Sequence, residues 1–225
     1  MSLKSPTPSV QDHLKALYHL GVDGRPVATN DLAAWLDVAP PSITSMLKRL
    51  AVDGLVEHLP YHGARLTAAG EAAALKVVRR HRLTETFLRQ VVGVPWDEVH
   101  AEAEILEHAI SDRLEDRIDD LLGHPTRDCH GDPIPPKRGR HHERIDTPLD
   151  RVPVRSLVRV ERVSDRDPSV LRAASTLGLG LGTELVVSGR DGPDGPTQVS
   201  VGSRRHRLAP AIARAISVTV LEETA

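Results

Sequence analysis

Apolar side chains recur at three- and four-residue steps through the first half of the chain and alternate with polar ones through much of its last third, so helices come first and strands follow. Val10, Leu14, Leu17 and Leu20 share one face of a helix expected over Ser9 to Leu20. After a turn from Gly21 to Pro26, Thr29 or Asn30 is placed to cap a second helix with Leu32, Ala33 and Leu36 inward. Pro41 suits the first turn of a third, PSITSMLKRL, which turns Ile43, Met46, Leu47 and Leu50 inward and is closed by Asp53-Gly54. VEHL, a turn at Tyr61-His62-Gly63, and ARLT then read as a hairpin.

Two longer helices are expected next. Along Ala68 to Val92, one face carries Ala74, Val78, His81, Glu85, Leu88 and Val92, and Leu83, Phe87 and Val91 form a second apolar stripe. His100 to Leu122 reads as a single helix with Leu106, Ile110, Leu114, Ile118 and Leu121 along one seam. A helix apolar on two sides implies a partner, so a homodimer is expected. From His124 to Pro153, Pro, Gly and charge dominate, which marks a linker with one structured loop. Beyond it VRSLVRVERV is a strand, SVLRAASTLG a short helix, and the Gly-punctuated remainder a set of short strands, together a small β-barrel.

Composition narrows the function classes. The 225 residues suffice for one to three small domains, and a formal net charge of −2 gives no overall basic excess. A single cysteine, Cys129, excludes an internal disulfide framework, and aromatics at 2% argue against base-stacking platforms. No apolar run approaches a membrane span and no leader-like segment opens the chain, so a soluble cytoplasmic protein is expected. No HExxH motif or nucleophile and base pair accompanies the acidic cluster described next, so an enzyme is not expected.

Helix, tight turn, helix and hairpin is a winged helix-turn-helix order. Ser42, Thr44, Ser45, Lys48 and Arg49 lie on the outer side of the second of those helices and Arg65 on the wing, hydroxyls and cations suited to base edges and phosphates. An ordinary helical hairpin would share the pattern, and six Lys and Arg against seven acids through Ala73 do not decide between them.

The other chemistry lies in acids and imidazoles. At 100° per residue, His100, Glu104, Glu107 and His108 share an arc of about 100°, with no Lys or Arg in the stretch until Arg113. A solvated acidic face is the plain alternative, yet His81 and Glu85 interrupt an apolar stripe, where burial costs several kcal/mol unless the group is paired or metal-bound. A divalent-metal site is the sharper reading. Lys137, Arg138, Arg140 and Arg144 read as a solvated cluster, and Cys129, His130, His141 and His142 fit no zinc spacing.

The ordered set DGLVEHLPYHGARLTAAGEA, RRHRLTETFL, VHAEAEILEHAISDRLEDRI and HGDPIP resembles the diphtheria-toxin-repressor family of metal-dependent transcriptional repressors (DtxR, IdeR, MntR). GLGLGTEL and LAPAIARAISV look like the SH3-like module of its longer members and of FeoA-type proteins. The resemblance implies a mainly α protein with β: a winged helix-turn-helix over residues 1–73, a helical dimerisation and metal domain with linker over 74–145, and an SH3-like domain over 150–225. It implies a homodimer that binds double-stranded operator DNA and no membrane.

By motif, the family's primary metal site falls on Asp12, Glu104, Glu107 and His108, and the second on His81, Glu85 and His100, with Asp165 or Asp167 as the nearest acid before the last domain's helix; Asp167 is the expected ligand. Iron-sensing members carry Met and Cys where Asp12 and Glu104 stand. Oxygen and imidazole donors suit Mn²⁺, so two Mn²⁺ sites per subunit are expected, with Fe²⁺ as the competing ion. A repressor responsive to Fe²⁺ or Zn²⁺, or one with a structural acidic cluster, is the alternative. Lys15 departs from the compact manganese regulators, which have Glu there; an ammonium cannot be a ligand, so two separate sites are expected rather than a close pair.

Overall fold

The computed structural model describes residues 6–21, 24–137, 147–192 and 194–223. Two compact units emerge, each with its own core: Met1–His81 with Ile105–Glu115 and Pro135–Arg140, and Arg82–Glu104 with Asp116–Ile134 and His141–Ala225. Arg138, Arg140, Arg144, His141 and His142 lie outside the described residues.

The first unit opens with helices α1 (Pro8–Leu20), α2 (Thr29–Leu36) and α3 (Pro40–Val52), followed by the hairpin β1 (Val56–Leu59) and β2 (Gly63–Leu66). Val10, Leu14, Leu17, Leu32, Ile43, Leu47, Leu50, Val56 and Ala64 close one apolar cluster; its helical members are among those expected inward from the helical period, while Leu20, Leu36 and Met46 are half-buried at its margin. Neither Thr29 nor Asn30 caps α2: the chain enters from Ala28 with no side-chain cap. The wing is held by backbone as well, through the mutual bonds Val27 N to Ala64 O and Ala64 N to Val27 O. Gly63 is required there, since a Cβ would meet the Val27 oxygen at 1.8 Å and φ is +95°. Ser42, Ser45, Lys48 and Arg49 are exposed on α3.

The long helix α4 (Ala68–Phe87) ends in a π-helical turn, Leu88–Val92, and runs from the first unit into the second. The single helix expected from His100 to Leu122 is two helices: α5 (Val99–Leu106) and α6 (Asp112–Leu121), with Glu107, His108 and Ala109 in the turn between. Ser111 accounts for the break. Its hydroxyl accepts the Leu114 amide at 3.2 Å, an N-cap contact that starts a new helix, and Asp112 and Glu115 fall in that helix's first turn, where carboxylates are favoured. The one seam predicted from the period therefore does not exist. Ile110 and Ile118 are buried, whereas Leu106, Leu114 and Leu121 are exposed, as are Val91 and Val92; Leu83 is buried.

In the second unit, β3 (Thr147–Pro148), β4 (Ser156–Val163), β5 (Glu184–Arg190), β6 (Thr197–Val201), β7 (Arg204–Leu208) and β8 (Ile216–Glu223) form an antiparallel sheet in the order β3-β8-β4-β5-β6-β7. Helices α7 (Pro168–Leu177) and α8 (Pro210–Ala215) complete it. Val158, Val160, Val163, Leu185, Val187, Val199 and Val218 alternate inward and meet Leu171 and Ala174 of α7 in one core. The loop 126–134 seats on β4: Val163 N donates to the His130 oxygen at 2.9 Å, and Arg162 pairs with Asp132 at 2.7 Å. Gly131 permits the approach, because a Cβ there would sit 2.0 Å from the Glu161 oxygen.

Candidate metal centre

Three of the expected ligands meet in the first unit. Asp12, near the middle of α1, and the turn residues Glu107 and His108 each offer a donor atom within 4.8 Å of the others. His108 Nε2 lies 2.9 Å from Asp12 Oδ1 and 3.7 Å from Glu107 Oε1. Its other nitrogen, Nδ1, is 2.9 Å from Gln11 Oε1, and the Gln11 amide nitrogen donates to the Pro6 oxygen at 2.8 Å. An Nδ1–H donated to Gln11 fixes the ring so that Nε2 faces the carboxylates, as outer-sphere partners do for ligating histidines.

Glu107 is fully buried and forms the centre of the arrangement. The Lys15 ammonium donates to both of its oxygens, at 2.7 and 3.0 Å, and His81 Nδ1 lies 2.5 Å from Oε2. Burial alone would raise the Glu107 pKa, but the His81 contact and then Lys15 outweigh it and hold the carboxyl below its usual range. It is therefore an anion in a dry place, and the spacing of three donors around it fits a divalent ion. The turn supplies what a continuous helix face could not: Glu107 and His108 are consecutive, yet both reach Asp12. Glu104 belongs to the second unit, where its carboxylate lies 3.6 Å from His100 Nε2.

A second collection of acids and imidazoles lies in that unit. His100 Nδ1 is 3.1 Å from Glu85 Oε1 and 3.0 Å from Asp165 Oδ2. Asp167, the acid expected here, instead caps α7 by accepting the Ser169 amide at 2.8 Å; the acid that meets His100 is Asp165, two residues earlier. His81, one turn before Glu85 on α4, directs Nδ1 at Glu107 as described. Burial is the largest influence and would raise the Asp165 pKa, but the His100 hydrogen bond together with the charges of His100 and His130 outweighs it and lowers the pKa to about 2.

His130 was not among the expected ligands. Its Nδ1 lies 3.9 Å from Glu85 Oε2 and 3.6 Å from Cys129 Sγ, while Nε2 meets the Trp96 carbonyl oxygen at 3.1 Å beneath a stacked indole. Burial works against its imidazolium, but Cys129 and Glu85 beside it push the pKa up to about 12. Asp128 accepts the backbone amides of His130 and Asp132 at 2.9 Å each, and burial followed by the charges of Glu85 and Asp132 raises its pKa well above the carboxylate range. The HGDPIP motif was the available signal: it marked the loop but not the direction of its side chains. Here too, several carboxylates and two imidazoles share a buried space, and the donor set is oxygen and nitrogen with one thiol beside it.

The residues placed for DNA contact lie on α3 and the wing. Ser42, Ser45, Lys48 and Arg49 present one exposed side of α3, Thr44 turns its hydroxyl back onto the Pro40 oxygen at 3.1 Å, and Arg65 pairs across the wing with Glu57 at 2.7 Å. Among the described residues no helix is long and apolar enough to cross a membrane.

Comparison with known proteins identifies the domains. Residues 6–64 match the iron dependent repressor N-terminal DNA binding domain, 67–136 the iron dependent repressor metal binding and dimerisation domain, and 147–220 the FeoA domain. The iron-dependent repressor IdeR of Mycobacterium tuberculosis is 37% identical over 123 residues, 55% of this chain and 54% of IdeR, so the match spans about half the length of that relative. The HTH-type transcriptional regulator MntR of Lysinibacillus sphaericus is 38% identical over 52% of this chain and 84% of its own. Among solved structures, a manganese-dependent transcriptional repressor in complex with manganese is 40% identical, with a TM-score of 0.88 over 94% of this chain and all of that one.

Proposed function

Because the chain belongs to the DtxR, IdeR and MntR family of metal-dependent repressors, we propose that it is a Mn²⁺-activated transcriptional repressor that binds palindromic operator DNA as a homodimer. The observation that carries this is the Asp12, Glu107 and His108 constellation, which joins the first helix of the winged-helix fold to the turn after α5. A bound divalent ion supplies the positive charge that lets two carboxylates share that space. Asp12 and Glu107 would hold it, His108 would offer Nε2, and Gln11 keeps the imidazole turned. The residues then fix α1, and with it the α3 surface that carries Ser42, Ser45, Lys48 and Arg49, in the orientation that suits an operator half-site.

The second site is built on Glu85, His100 and Asp165, with His130 Nδ1 aimed at Glu85 and its Nε2 anchored on Trp96. Oxygen and nitrogen donors at both sites favour Mn²⁺, although Fe²⁺ takes the same donors. The functional divisions are 1–73 for DNA, 74–145 for metal and dimer contacts, and 150–225 for the SH3-like domain; the three family matches support these spans. In the first unit the exposed apolar side chains Ile105, Leu106 and Leu114 supply surface for a second copy, and in the second unit Val91, Val92 and Leu121 do so.

The test is capture of genomic DNA fragments by the purified protein at one fixed ionic strength, with Mn²⁺, with anaerobic Fe²⁺, with Zn²⁺ and with chelator. Enrichment of one palindromic element only with Mn²⁺ is expected. Enrichment with Fe²⁺ alone would assign the other ion, and equal capture in chelator would remove the metal from the switch.

A further inference from the structure

Asp12 and Lys15 lie one turn apart on α1, and the two contacts they make are different in kind. Asp12 is partly exposed and faces His108, whereas Lys15 is buried and its ammonium donates to both oxygens of Glu107 across 92 positions of sequence. Glu107 is also the carboxylate that an ion between Asp12 and His108 would need. An ammonium 2.7 Å from Oε1 and a divalent ion on that oxygen are two cations contending for one buried anion.

We propose that Lys15 is a tethered competitor of the metal: without metal its ammonium occupies Glu107, and loading requires it to withdraw, so this residue sets the metal concentration at which the site responds. The inference rests on the primary-site reading above. Three features support it. The pair is bidentate and only 9% exposed on the lysine side, so it is no loose surface contact. Glu107 keeps His81 as a partner, so its carboxylate stays oriented when the lysine leaves. Asp12 and His108 already face each other at 2.9 Å. Charge gives the direction: Asp12 and Glu107 balance a divalent ion by themselves, and a retained ammonium would leave an uncompensated positive charge in a buried place.

The experiment titrates metal-free, full-length protein with Mn²⁺ and follows the free ion by its electron paramagnetic resonance signal. Wild type is compared with Lys15→Met, Lys15→Gln, Lys15→Arg and Asp12→Asn. In the two neutral variants one equivalent of Mn²⁺ should bind at least roughly tenfold more tightly, the order expected when a unit charge is removed from beside a divalent ion. Their metal-free forms should unfold at lower urea, and the Arg variant should behave as wild type. Lys15→Met is included because its apolar tip asks for no partner where the ammonium was buried. Unchanged or weaker binding in the neutral variants, with Asp12→Asn losing one equivalent, overturns the role of Lys15 alone. If Asp12→Asn loses none, the site reading fails and this proposal with it.

Discussion

Replacing Asp12 by Asn separates the metal from the fold. In the metal-free protein the carboxylate makes a partly exposed contact with His108, its side chain 36% accessible, and such pairs are worth roughly 0–1 kcal/mol, so its removal should cost little. With metal the consequence is larger. At a free Mn²⁺ concentration of about 100 times the dissociation constant, one site stabilises the native state by about 2.7 kcal/mol. Disturbing even an outer partner of a ligand weakens metal binding by about 10- to 100-fold, so loss of a ligand is taken as about 100-fold. At the same metal concentration the variant then gains only about 0.4 kcal/mol, a gap of about 2.3 kcal/mol. For a chain of this size the gap corresponds to a melting difference of about 5–9 °C. The assay is thermal unfolding followed by circular dichroism over a Mn²⁺ series, with metal stoichiometry measured in parallel. Equal melting without metal and a variant curve that lags behind wild type as Mn²⁺ rises are expected. A variant that keeps the whole Mn²⁺ shift and both equivalents would refute the placement of the ion at Asp12.

Two further predictions concern charge in the core. Glu115, 2% exposed, accepts from Arg79 Nε and Arg80 Nε at 3.0 Å each, so Glu115→Ala removes the buried carboxylate that two guanidinium groups share; Arg79 keeps the Pro135 oxygen and Arg80 keeps Asp112, so the loss should be about 3 kcal/mol in urea unfolding, and a loss under about 1 kcal/mol would mean that solvent reaches the pair. Asp165 has a folded pKa of about 2 against 3.8 for the free group, so its contribution is complete above pH 3.8 and fades as pH falls through 2. Metal-free wild type should therefore lose roughly 1 kcal/mol more than Asp165→Asn between pH 5 and pH 3, and parallel pH profiles in chelator would show that His100 does not hold the carboxylate.

The helices and hairpin of the winged-helix part were legible because a buried face imposes its period on the sequence: Leu14, Leu17, Ile43, Leu47 and Leu50 are inward where 3.6-residue spacing puts them. The strands of the last unit were legible by alternation, as Val158, Val160, Leu185 and Val187 show. The break after Leu106 was not, because apolar residues happen to continue in helical register through Ile110 and Leu114, and Ser111 reads as a cap only once its hydroxyl is seen on the Leu114 amide. The same limit applies to the site. Side chains at i and i+4 can be aligned from sequence, but the approach of α1 to residues 107–108, the choice of Asp165 over Asp167, and the inward turn of His130 depend on contacts between segments far apart in the chain.

Under the proposed function, the break is what would make the primary site responsive to an ion. On an uninterrupted helix Glu107 and His108 would be about 100° apart and rigidly so, and only one of them could face Asp12. In the turn between α5 and α6 both do, at 3.7 Å from each other. A turn has fewer internal hydrogen bonds than a helix, so its geometry is held more by what its side chains bind. In the metal-free molecule those side chains are bound by Lys15, His81, Gln11 and Asp12, all of them polar groups of α1 and α4. Exchange of the Lys15 ammonium for a divalent ion would therefore leave Asp12, already on His108, as the acidic α1 side chain that holds the turn. That is a small change on a helix packed against α2 and the wing, and it would be made without touching the apolar core formed by Leu14, Leu17, Leu32 and Leu47.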